Sequence, residues 1–116
     1  MTQRWNPLWQ MRLLFDEQFP ISIIVHFPDF TCETVHGLGW SGVKNGELMR
    51  LAAGVCDVFV TLDRSLQHQQ KVSSLQFGVV LVRCKSTRIA DLLPLVPAIA
   101  SAAKSVTAGT VVVADA

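Results

Sequence analysis

A three-layer, Rossmann-like α/β domain with a mostly parallel sheet of about five strands is the fold this sequence predicts. Three observations carry that prediction. Short apolar, β-branched runs recur along the chain between polar residues, as the buried strands of parallel sheets do. Segments with a helical apolar period lie between them. Two of the runs, Leu13-Leu14-Phe15 and Val58-Phe59-Val60-Thr61-Leu62, end directly on an aspartate, Asp16 and Asp63.

Met1 to Gln10 (MTQRWNPLWQ) hold two of the three tryptophans and a proline, but no strand or helix period. Residues 1–11 therefore read as a flexible leader ahead of a single domain over 12–116, with Trp5 and Trp9 free or laid on an apolar patch. The first strand runs from Arg12 to Asp16. Ile21-Ser22-Ile23-Ile24-Val25 is β-branched like a strand, yet the proline before it favours a short helix. Helix is the reading taken, because a crossover must precede the next parallel strand. Cys32 to Val35 forms the second strand and leads into the glycine-rich loop Gly37 to Gly42. Asn45 then caps a helix with Leu48, Leu51 and Ala52 on its apolar face, stopped by Gly54.

Val58 to Leu62 is the third strand. Arg64 to Gln70 is polar and reads as one helical turn plus a loop. Gly78 to Val82, the most hydrophobic run, is the fourth strand. A long helix covers Ile89 to Val106 with Leu92, Leu93, Val96, Ile99 and Ala103 inward. Pro94 and Pro97 sit in its first turn or break it in two. Thr110 to Val113 closes as an edge strand, and the crossovers are expected to be right-handed.

With 116 residues, half of them hydrophobic and 16% charged, the chain has the composition of one globular domain and not of a disordered segment. A net charge of +1 gives no global pull toward nucleic acid or membrane. A nucleic-acid partner would need a local basic patch, from Arg50, Arg64, Lys71, Arg83, Lys85 or Arg88. No segment approaches the roughly 18 apolar residues of a membrane span, so no membrane partner is expected. Cys32, Cys56 and Cys84 lack paired spacing, and read as free thiols in a cytoplasmic protein. His26, His36 and His68 lack zinc-ligand spacing. The loop Gly37 to Gly46 does not match a phosphate-cradling motif.

The aspartates are the informative residues. Ligands of open α/β sheets gather at the carboxyl ends of the strands. Asp16 and Asp63 can meet there around one hard cation, Mg²⁺ or Mn²⁺, with water completing its shell and Thr61 adding a hydroxyl. Each has a plainer role available: Asp16 as a cap of the following helix, Asp63 as a cap of the turn Arg64-Ser65-Leu66. Glu17 reaches the rim if the chain turns there. Glu47 suits a helix first turn, where the dipole favours an acid. Asn45 is a cap that can also turn its amide toward the site. Arg64 can steady a phosphate.

The segments LLFDEQFP, GLGWSGVKNGEL, VFVTLDRSLQHQQ and DLLPLVPAI, in this order and spacing, resemble a small bacterial branch of the PIN-like superfamily. The resemblance spans residues 12–113. It implies a sheet commonly ordered 3-2-1-4-5 and an acidic cluster that binds Mg²⁺ or Mn²⁺ for phosphodiester hydrolysis, usually of RNA. It also implies a toxin held by a small antitoxin protein, and leaves a homodimer open. Asp16 matches the first acid of such proteins and Asp63 the later strand-end acid. Asn45 and Ser65 stand where many relatives carry acids, so Glu17 or Glu47 would have to complete a catalytic set. The expectation is a metal-dependent endoribonuclease. A catalytically degenerate PIN-like interaction or regulatory module is the alternative.

Overall fold

The computed structural model describes residues 10–115, and the expected packing of Trp5 and Trp9 lies outside them. Five strands, β1 (Arg12–Phe15), β2 (Thr31–Thr34), β3 (Val58–Thr61), β4 (Gly78–Val82) and β5 (Val111–Ala114), form one sheet. Its order is β2-β1-β3-β4-β5. All four pairings are parallel. The order 3-2-1-4-5 expected from the resemblance is therefore not the one found. The chain steps outward from β1 to β2, then crosses back over β1 to β3 and continues in one direction. That reversal puts a topological switch point between β1 and β3.

Side chains alternate across the sheet and divide the core in two. Leu13, Phe15, Val58, Val60, Val80 and Val82 face one side, and Leu14, Phe59 and Val79 the other. The first side is covered by a 3-10 helix, Ile21–His26, and by α3 (Ile89–Leu92) and α4 (Val96–Ser105). The second is covered by α1 (Asn45–Ala52) and α2 (Leu66–Gln69). Three layers result. Phe15 and Phe27 meet with ring centroids 5.2 Å apart and planes tilted by 45°, in the same core cluster as Ile23 of the 3-10 helix.

The helix read at Ile21 is present, but as a 3-10 helix, with Pro20 before its first residue. The long C-terminal helix is broken as its prolines demand: α3 passes through a 3-10 turn, Leu93–Leu95, into α4. That break rotates the apolar face. Leu95 is buried and Leu93, expected inward, is 40% exposed. In α1, Met49 takes the buried place expected for Leu51.

The expected uniform hand of the crossovers also fails once. The step β3 to β4 passes over the α1/α2 face, and the step β4 to β5 passes over the opposite face. Both steps run in the same direction across the sheet, so their hands are opposite. The connections β1 to β2 and β2 to β3 share the hand of β3 to β4. The final crossover is the exception.

At the amino ends of the strands, Asp57 accepts from the Arg12 backbone N–H at 2.8 Å and pairs with its guanidinium at 3.1 Å, setting β1 against β3. Gln10 and Met11 are also tied down. Thr31 donates its hydroxyl to Gln10 Oε1 at 2.8 Å and its N–H to the Met11 carbonyl. Among the described residues, no helix is long and apolar enough to cross a membrane.

Candidate functional site

A cleft of about 440 Å³ opens at the carboxyl rim, at the switch point between β1 and β3. Asp16 and Glu17 enter it from the end of β1, and Asp63 from the end of β3. Lys44 and Asn45 come from the start of α1, and Gln69 from α2. Asp16 and Asp63 reach one cleft because their strands are hydrogen-bonded neighbours in parallel register, Phe15 beside Val60.

Thr61 ties the two together. It is the last residue of β3 and fully buried. Its hydroxyl donates to Asp16 Oδ2 at 2.7 Å and accepts from the Asp63 N–H at 3.0 Å. The Asp16 Oδ1 accepts from the Glu17 N–H at 2.8 Å. Asp16 therefore does not cap the helix that follows. At 8% exposure its carboxyl is pushed above its ordinary 3.8, first by burial, against the Thr61 and Glu17 donors, with Glu17 and Asp63 charges adding to the rise.

Asp63 is held differently. Its Oδ1 accepts from the Ser65 N–H at 2.9 Å and the Ser65 hydroxyl at 2.6 Å, so it does cap the turn that opens α2. Its Oδ2 accepts from Asn45 Nδ2 at 3.4 Å. The Ser65 hydroxyl lowers its pKa most, burial opposes, and the Ser65 N–H and the Asn45 amide lower it further. One acid of the pair thus resists ionisation and its neighbour favours it.

Asn45 is the first residue of α1 rather than its side-chain cap. The residue before it, Lys44, makes no side-chain cap either. The Asn45 amide reaches across the cleft instead, donating to Gln69 Oε1 at 2.8 Å. Glu17 Oε1 accepts from the Gly42 N–H at 2.8 Å, which pins the loop Gly37 to Gly42 beside the rim. Gly42 makes that bond from φ +85°, a conformation L side chains rarely adopt.

Two expected site residues lie elsewhere. Glu47 is exposed on α1 and pairs with Arg50 one turn on, an arrangement that stabilises a helix surface. Arg64 is exposed and is not part of the cleft lining. Lys44 and Gln69 carry no motif of their own. The signals for them were adjacency to Asn45 and a position one helical turn beyond Ser65. Among the cysteines, burial pushes the thiols of Cys32 and Cys56 up to about 12, so both stay protonated and act as small hydrophobes.

Asp16 and Asp63 are the two side chains of the cleft that would supply charged oxygen ligands to one hard divalent cation. Asp16 has no ion-pair partner among the described residues. Each Asp16 oxygen accepts one hydrogen bond and keeps a lone pair. Asn45 and Ser65 donate to Asp63, so part of its acceptor capacity is already taken. Among the described residues, no group of three or more His, Cys, Asp or Glu side chains is gathered as a ligand set. Water would have to fill most of the shell.

No protein-family model, curated protein or solved structure matches this chain.

Proposed function

We propose that this protein hydrolyses phosphodiester bonds of RNA at the switch-point cleft, with one divalent cation, Mg²⁺ or Mn²⁺, held between Asp16 and Asp63. The observation that carries the reading is the convergence of these two carboxylates on a single cleft, where the Thr61 hydroxyl donates to the Asp16 carboxylate and accepts from the Asp63 backbone N–H. The same cleft holds a place for the anionic substrate. Lys44 lines it, and the amino end of α1, which lacks a side-chain cap, opens toward it.

When bound, the cation supplies an activated water and neutralises charge that builds on the phosphoryl group. Thr61 keeps Asp16 in place by its hydroxyl, and Ser65 does the same for Asp63. Glu17 fixes the loop that walls the cleft. Lys44 and the α1 terminus orient the phosphodiester. Asn45 holds Gln69 and Asp63 in one arrangement.

Cleavage of single-stranded RNA in Mn²⁺, stopped by excess chelator, is the test. Asp16→Asn preserves side-chain shape and should lower the rate by orders of magnitude. A wild type without cleavage, or an equally active Asp16→Asn, removes the hydrolytic reading. One observation favours the alternative, a catalytically degenerate PIN-like interaction module: Asp63 is already satisfied by three donors from Ser65 and Asn45. An antitoxin partner rests on the resemblance alone.

A further inference from the structure

A second cleft, of about 420 Å³, adjoins the first across the carboxyl rim. Glu17 and Gln18 line both, so the two clefts share a wall. The rest of the second cleft is of another character. Pro20, Ile21, His36 and Thr87 line it, and no lysine or arginine does. A phosphate is poorly served there, since the charged group in its wall is the carboxylate of Glu17. The neutral part of a nucleotide is well served. Ile21 is 47% exposed, an apolar surface presented to solvent. His36 offers an aromatic ring, and Gln18 and Thr87 offer an amide and a hydroxyl to a base edge.

The wall is also set in advance. His36 Nδ1 is hydrogen-bonded to the Ser41 hydroxyl at 2.9 Å, and Gly42 of the same loop is bonded to Glu17 at 2.8 Å. A ligand entering the second cleft meets a ring and a loop already held, and it loses less in ordering them.

We infer that the second cleft receives an unpaired nucleobase of a single-stranded nucleic acid, whose adjoining phosphate lies in the acidic cleft. The inference rests on the phosphodiesterase reading for the placement of that phosphate. A splayed, unpaired base exposes the face that stacks on aromatic and apolar side chains, which a paired base keeps within its own helix.

The test compares fluorescein-labelled oligoadenylate with an abasic ribose-phosphate chain of equal length and charge, by anisotropy in Ca²⁺ buffer. The wild type should prefer the base-bearing chain at least about fivefold, within the usual strength of one stacked base. Ile21→Ser and His36→Ala, both at exposed positions, should bring that preference close to one. Hydrolysis in Mn²⁺ of the abasic chain, a diester without a base, reports on the acidic cleft alone and should be the same in Ile21→Ser as in the wild type. Equal affinity of the wild type for the two chains, or a preference that both variants retain, overturns the base subsite. A wild type that prefers the base-bearing chain without turning over the diester supports the subsite and overturns the hydrolytic reading.

Discussion

Asp16 and Asp63 end neighbouring strands and yet have opposite acid–base leanings, and the cause is local. Asp16 is buried under two donors, whereas Asp63 is more open and accepts from three. A folded-state pKa above 3.8 means that Asp16 favours the fold fully below that value and loses the contribution as pH rises through its folded pKa. Asp63 behaves in reverse, its contribution present above 3.8 and lost as pH falls through its lowered folded pKa. Asp16→Asn removes only the first effect. In metal-free buffer, the stability of the wild type minus that of Asp16→Asn should therefore fall as pH is raised from 3.8 through the higher folded-state pKa of Asp16. Urea melts across that range check it, and a difference that stays flat or rises with pH contradicts the assignment. The two aspartates were legible in the sequence because each closes a buried run. Lys44 and Gln69 were not, because a loop and a single helical turn bring them to the cleft, and neither leaves a period to read. Glu47 had the right residue type but faces Arg50 on the outer side of α1.

Among the elements, the strands were the most readable, since two buried faces leave a continuous apolar run with little ambiguity. The C-terminal helix was harder. Pro94 and Pro97 marked the break, but the size of the rotation that exposes Leu93 and buries Leu95 depends on the 3-10 turn between α3 and α4. The hand of the last crossover was not legible at all, because the order of elements along the chain is the same for either hand. That crossover has a tight joint where the chain leaves α4. A Cβ built on Gly78 would lie 2.8 Å and 2.9 Å from the Val106 methyls and 3.0 Å from the Thr107 carbonyl. Gly78 is the first residue of β4, hydrogen-bonded through its N–H to the Asp57 carbonyl at 3.0 Å, so its backbone has little room to yield. Gly78→Ala should cost about 1–3 kcal/mol, the usual range for overpacking a core. Denaturant melts with an unchanged m-value would register it as a lowered midpoint. A midpoint equal to that of the wild type would show that the α4-to-β5 turn is looser than its contacts imply.

Across the whole molecule, strand order decides where chemistry can happen. The order β2-β1-β3-β4-β5 puts the chain reversal between β1 and β3, and both strand-end aspartates flank it. The opposite rim carries the Arg12–Asp57 pair, half-exposed and worth at most about 1 kcal/mol, which sets register without forming a site. The sequence pointed to a parallel sheet and to its carboxyl rim, but not to the order of its strands, which depends on packing between distant segments. The central claim is that Asp16 and Asp63 form one cation site at this switch point. Calorimetric titration of Mn²⁺ into the chelator-treated protein tests it most directly. One saturable, weak site per chain is expected, with affinity lowered about tenfold or more by Asp16→Asn and by Asp63→Asn alike, since each removes a charged oxygen ligand. No saturable binding by the wild type, or full binding retained in either variant, would contradict it.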